Sequence, residues 1–194
     1  GENTLDLSGV QANWSDLDGY RQNVENSGPA LNAMMLVGHN TIRSLEMGDE
    51  RRAPNDQELE RMQQHVELAM EQGACGFSTG LVYRPGRWSD TDEILELAKI
   101  VAPFDGIYAT HMRNENDHLL EAVDEALEIG TKAGVAVQIS HHKAAGKRNW
   151  GKVEESLAKV DAAVAAGAEV TLDVYPYTAG SGPMVQYFDI DNPN

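Results

Sequence analysis

Residues 106–141 read GIYATHMRNENDHLLEAVDEALEIGTKAGVAVQISH. Two short apolar runs, 106–111 and 135–140, flank a helical pattern over 117–132, in which Leu120, Val123 and Leu127 recur at helical spacing and Gly134 follows as a stop. Strands joined through a helix of this length run parallel, with a right-handed crossover. Each run closes on a histidine, His111 and His141, and 141 − 111 = 30 residues is one strand–helix repeat. Neighbouring strands lie about 4.8 Å apart, so both imidazoles can reach one point above the sheet.

The alternation continues in both directions. Upstream, the patterns predict a helix over 15–26, a strand over 30–37 closed by Gly38, a helix over 55–72, a strand over 74–79 and a helix over 90–101 that Pro103 ends. In the second of these helices Leu59, Met62, Val66 and Met70 share a face, and Asn55 with Glu58 has the spacing of a capping box. Downstream, Asn149 is expected to cap a helix reaching Ala166, and the last strand covers 170–175. The last three strands begin at 106, 135 and 170, steps of 29 and 35 residues, each the length of one strand–helix unit. A complete five-stranded doubly wound sheet and part of a (β/α)₈ barrel both suit this α/β pattern. No glycine-rich phosphate loop follows the first strand. The start Gly1-Glu2-Asn3-Thr4 and the finish Asp191-Asn192-Pro193-Asn194 read as internal cuts, which favours the partial barrel. Residues 1–194 are therefore expected to form a single partial barrel domain with a parallel sheet.

Composition narrows the function. The 194 residues include 15 basic and 31 acidic side chains, a formal charge of −16, which argues against nucleic acid or an anionic membrane surface as partner. The longest apolar run, 33–37, is far too short to span a bilayer. Cys75 is the one cysteine, so the chain has neither an internal disulfide framework nor a multi-cysteine metal site, and a cytoplasmic location is the natural expectation.

At the ends of parallel strands, His111 and His141 suit a divalent metal, or else hydrogen-bond at the rim. Lys143 lies two residues beyond His141, placed for a bound anion or for solvent. The last strand runs into Asp173-Val-Tyr175-Pro-Tyr-Thr-Ala-Gly-Ser181-Gly182, a density of hydroxyls and glycines that suits a binding loop. Tyr83 follows an earlier strand at the same rim. Ser78 and Thr79 have no base beside them in sequence, so a nucleophilic serine is weakly supported. His65 and His118 read as surface histidines, His39 as a loop tie, Cys75 as a packed thiol, and Arg113 as an anion contact or a partner of Glu115.

The segments GHNTIR, GFSTGLVYRPGR, GIYATHMRNE, AVQISHHKAAG, NWGKV and DVYPYTAGSG occur in this order. In order and spacing they resemble the N-acyl-D-amino-acid deacylases (D-aminoacylases) of the amidohydrolase superfamily, from Trp14 to Ser181. The resemblance implies a zinc-dependent hydrolase with a barrel catalytic domain. Such an enzyme cleaves the linear amide of an N-acyl-D-amino acid to a carboxylate and a D-amino acid by metal-activated water. It assigns His111 and His141 as zinc ligands from barrel strands five and six, Lys143 and Tyr175 as substrate contacts, Ser181 as a neighbour of the substrate carboxylate, and Tyr83 as facing the scissile amide.

The departures from the family pattern are specific. The family's His-x-His of strand one is absent, Cys75 is not the metal-binding cysteine of strand two, and the strand-eight aspartate and the arginine beyond it are missing. His142 stands where leucine is common, and the spacing to Lys143 selects His141 as ligand. About strands three to seven are covered, so the general base is expected outside this chain and turnover by the chain alone is not. The open sheet edges of such an arc favour self-association. The other readings are a non-catalytic protein binding small acids, an amidohydrolase acting on cyclic amides, and a doubly wound domain without an active site.

Overall fold

A computed structural model of the chain describes residues 14–181. Helix α1 (Leu17–Asn26) precedes strand β1 (Leu36–Gly38), and helices α2 (His39–Met47) and α3 (Asp56–Glu71) lead to β2 (Gly76–Gly80). Then follow α4 (Thr91–Ala98), β3 (Ile107–His111), α5 (Leu119–Ala133), β4 (Ala136–Ile139), α6 (Lys152–Ala165) and β5 (Val170–Leu172). All strand pairs are parallel, and the order in the sheet is β1-β2-β3-β4-β5. A doubly wound sheet reverses direction at a switch point, whereas a barrel adds each strand beside the last. The unbroken sequential order therefore selects an arc of a barrel.

Strand alternation divides the two faces. Phe77, Tyr108, Val137 and Ile139 are almost fully buried beneath the helices, against Met62, Val66, Ile94, Leu97 and Val123. The opposite face carries Ser78, Ala109, Gln138 and Thr171 in register across four strands, and it is the inner face of the barrel wall. Gly130 of α5 packs so close to β4 that a Cβ there would fall 2.1 Å from Val137 Cγ2. Consequently the buried face of α5 runs through Leu119, Ala122, Val123, Ala126 and Ile129, turned from the expected Leu120, Val123 and Leu127 line. Gly134, at φ 71°, ends the helix in the left-handed conformation that favours glycine. The expected capping box is formed: Asn55 Oδ1 accepts from Glu58 N–H at 2.9 Å, and Glu58 Oε2 accepts from Asn55 N–H at 2.8 Å.

Several sequence expectations need correction; the last strand, expected over 170–175, stops at Leu172. The strand predicted over 30–37 is only Leu36–Gly38, because Leu31 and Met34 lie in solvent, 82% and 81% exposed, with no ladder to join. Helix α2 starts immediately afterwards, and hydrophobic periodicity misses it because its inward face is partly ionic. His39 and Arg43 are wholly buried and share the Glu93 carboxylate of α4: His39 Nε2 lies 2.7 Å from Oε1, and Arg43 hydrogen-bonds Oε2. Asn149 does not cap α6, which begins at Lys152. Its amide instead donates to Asp117 Oδ1 at 3.0 Å and to the Ala145 carbonyl at 2.9 Å.

Candidate metal centre

β3 and β4 end side by side, so their following loops share one rim. His111 keeps the inward parity of Ile107 and Ala109 and projects over the inner face. Position 141 has the parity of Val137 and Ile139, the helix side. A left-handed turn at His141, φ 41°, reverses this and brings its ring centroid 4.4 Å from that of His111. For a residue other than glycine such a backbone costs on the order of 1–3 kcal/mol, so surrounding contacts must hold it. Asp173, just beyond β5, supplies them: Oδ1 accepts from His141 N–H at 2.6 Å, and its carbonyl accepts from His142 N–H at 2.7 Å.

A third donor joins the pair. Glu115, four residues past His111, places its carboxylate so that its ligand atom and those of His111 and His141 all lie within 4.8 Å of one another. Glu115 Oε2 lies 2.5 Å from Lys143 Nζ. Oε1 lies 2.7 Å from His141 Nδ1, yet it is buried and makes no properly angled hydrogen bond. A buried carboxylate oxygen without a hydrogen bond, beside two imidazoles, fits a divalent cation. Burial pulls the His111 imidazole down to about 4, against the opposing pull of Glu115 and helped by His141 and Lys143, so at neutral pH the ring is uncharged and its lone pair free. Glu115 was missed in sequence because its Cα lies in a loop with no periodicity. A carboxylate four positions beyond a rim histidine was the available signal.

The other predicted residues fall around this cluster. The Tyr83 ring lies 4.9 Å from that of His111, and the Tyr175 ring lies 6.4 Å from that of His141. Lys143 Nζ sits 5.3 Å from the Tyr175 ring centre and donates to the His141 carbonyl at 2.9 Å. A cavity of about 500 Å³ opens beside them, bounded by His111, Asn116, Lys143, Trp150, Tyr175 and Tyr177. Ser181 is exposed and lies outside that lining.

Several histidines and polar groups serve the frame. His142 turns away and pairs with Ser156 Oγ at 3.0 Å, burial holding its imidazole below the usual range. His39 is a tie, as expected, though from a helix. His65 meets Glu46 at 2.8 Å, and His118 is exposed. Arg113 does not pair with Glu115. Its guanidinium grips Glu125 of α5 at 2.8–3.2 Å, a bidentate partner that wins over the nearer residue in sequence. Cys75 Sγ approaches the Met35 carbonyl at 3.2 Å, on the far end of the strands from the rim. Among the described residues no helix is long and apolar enough to cross a membrane.

Comparison with known proteins matches this picture. No family model matches the chain. A D-aminoacylase of Alcaligenes xylosoxydans xylosoxydans is 44% identical over 157 residues, 81% of this chain and 32% of the relative. An N-acyl-D-glutamate deacylase of the same organism is 40% identical over 177 residues, 91% of this chain and 36% of the relative. The crystal structure of N-acyl-D-glutamate deacylase from Bordetella bronchiseptica, complexed with zinc and a phosphonate inhibitor, superposes with a TM-score of 0.81 at 40% identity, over 84% of this chain and 34% of that one. An L-hydantoinase from Arthrobacter aurescens, 14% identical with a TM-score of 0.51, shares the fold. The chain spans about one third of the length of the curated relatives it matches.

The sequential parallel arc and its rim of imidazoles define part of an amidohydrolase-type barrel. Along the stretch it shares with these relatives, the chain is similar at 40–44% identity to the N-acyl-D-amino-acid deacylases, the D-aminoacylase family.

Proposed function

We propose that this chain supplies two zinc ligands and part of the substrate wall for hydrolysis of N-acyl-D-amino acids to a carboxylate and the free D-amino acid. The observation that carries the reading is the convergence of His111, His141 and Glu115 at the ends of adjacent strands. It is supported by 40–44% identity to deacylases over most of the chain. Zinc held there supplies Lewis acidity and an acidified water.

The remaining roles are those the family resemblance implies, and the geometry around the cluster supports some of them. Tyr83, beside His111, faces the scissile amide. The Lys143 ammonium and the Tyr175 ring line the cavity, where they bind and orient the acidic substrate; Ser181, beyond that lining, is assigned to the substrate carboxylate by the resemblance alone. Glu115 is engaged by Lys143 through Oε2 and turns Oε1 to the metal position, and Asp173 is engaged by the His141 N–H and the Gln138 amide. The family's strand-eight aspartate has no counterpart here, so the general base is expected outside this chain and the 194-residue chain alone is not expected to turn over. The uncompensated acidic charge and the lone Cys75 support a small-molecule ligand and a reducing, cytoplasmic setting. The one-sided pairing of β1 and β5 among the described residues supports self-association through those edges.

Elemental analysis tests the centre. Zinc is expected in the purified chain after equilibration with excess metal and removal of loose ions, and is expected to be absent from a His111→Ala/His141→Ala variant. Equal metal in both would overturn the assignment. Deacylation of N-acetyl-D-amino acids by a contaminant-free preparation would overturn the expected lack of turnover.

A further inference from the structure

We propose that Asp173 is the positioning residue of the metal centre: its carboxylate, from the neighbouring strand end, holds the His141 backbone in the left-handed turn that aims the imidazole at His111. The inference rests on the reading of His141 as a metal ligand and adds how that ligand is held.

The geometry is that of a clamp. Asp173 engages the β4 end through four hydrogen bonds. Its N–H donates to the Ile139 carbonyl at 3.1 Å, and its carbonyl accepts from His142 N–H at 2.7 Å. Oδ1 accepts from His141 N–H at 2.6 Å, and Oδ2 accepts from Gln138 Nε2 at 2.8 Å. The backbone pair only continues the parallel ladder, as any residue at this position would. The side-chain pair is specific. It gives the strained His141 amide a carboxyl oxygen as acceptor, and it anchors that acceptor through Gln138, whose own carbonyl oxygen takes the Thr171 hydroxyl at 2.5 Å. Gln138 and Thr171 face each other in register, so the anchor rests on sheet rather than on loop.

Without the clamp, the alternation of β4 returns position 141 toward the helix side, and the imidazole leaves the cluster. The requirement is for an acceptor at Oδ1, not for a charge at the metal. An asparagine meets it, provided the Gln138 amide turns to present its oxygen to the new NH₂, leaving its NH₂ toward the Thr171 hydroxyl, which accepts as readily as it donates.

Asp173→Ala, Asp173→Asn and Gln138→Ala are compared with the parent chain, each checked for unchanged far-ultraviolet circular dichroism. The first readout needs no metal: the ¹H–¹⁵N resonance of His141. A downfield, exchange-protected amide is expected in the parent and in Asp173→Asn, and lost in Asp173→Ala. The second readout is cobalt(II) affinity with its visible absorption bands. At least a tenfold weaker affinity and altered bands are expected for Asp173→Ala, recovery to within threefold of the parent for Asp173→Asn, and an intermediate loss for Gln138→Ala. A protected His141 amide in Asp173→Ala, or no recovery in Asp173→Asn, overturns the clamp. Should Asp173→Ala not fold, the Gln138→Ala amide and the Asp173→Asn recovery decide the matter. Failure of the parent to bind cobalt while its His141 amide behaves as expected would overturn the metal reading and leave the clamp standing.

Discussion

Glu115 Oε2 and Lys143 Nζ stand 2.5 Å apart, and this contact joins the loop after β3 to the loop after β4. One carboxylate thus faces the Lys143 ammonium on one oxygen and the imidazole pair on the other. Substitution Glu115→Gln keeps the shape and removes the charge. Zinc affinity is expected to fall about tenfold, within the range for groups that bind or orient metal ligands. Competition against a chelating dye measures it, and unchanged affinity would mean that Glu115 serves Lys143 alone.

Beneath this rim, Glu93 is the shared partner of two fully buried side chains. Removing its charge leaves the Arg43 guanidinium buried with only a neutral amide oxygen and the backbone carbonyls of Glu50 and Arg52 to accept from it. Glu93→Gln is expected to lower stability by about 3–5 kcal/mol. Urea titration followed by circular dichroism checks this, and a loss below about 1 kcal/mol would contradict it.

Gly130 sets two effects of opposite sign against each other. Helix propensity alone favours Gly130→Ala by about 1 kcal/mol. The new methyl would meet Val137 Cγ2, however, and overpacking of this kind costs about 1–3 kcal/mol. The overpacking is expected to win because β4 cannot retreat without disturbing the rim. A raised melting temperature would show the reverse.

Tyr108 reports on pH. Its phenol is fully buried, and burial pushes it up to about 12, against the hydrogen bonds of Thr110 and Thr79. An unfolded tyrosine ionises near 10, so above that pH the unfolded state has released a proton that the folded state keeps. Stability is therefore expected to be unaffected by this group below pH 10 and to fall progressively between pH 10 and 12. Absorbance at 295 nm should show Tyr108 ionising late, together with unfolding. Its titration near pH 10 in a still folded chain would refute the burial.

The edges of the sheet give a solution prediction. Leu31 and Met34, just before β1 in the chain, and Leu45, which shares a cavity lining with β1, are exposed, and among the described residues β1 pairs on one side alone. Sedimentation velocity is expected to show mass increasing with concentration, whereas a constant monomer to high concentration would rule out edge pairing.

Much of this architecture was readable because it follows hydrophobic periodicity and strand-end chemistry. The alternation in residues 106–141 located β3, α5 and β4 to within two residues and named both rim histidines. What escaped depends on partners distant in sequence. Helix α2 buries a charge pair that breaks its apolar pattern. Glu115 reaches the cluster from a loop. The choice between doubly wound sheet and barrel rests on strand order, which local spacing does not carry. The aim of His141 comes from a backbone turn stabilised by an aspartate just past the end of the next strand, and no side-chain alphabet in its own segment records that turn.

The compactness of the rim along the chain has an entropic consequence. His111, Glu115, His141 and Lys143 all fall within one strand–helix–strand repeat, so a single short loop must close before they meet. Closure entropy rises only logarithmically with loop length, but contacts this local still form among the first in a folding chain. The donor cluster is thus available to an ion from one contiguous stretch of polypeptide. The same stretch, moved as a block into another barrel of matching strand spacing, would carry its chemistry along, needing only the aspartate from the strand beside it.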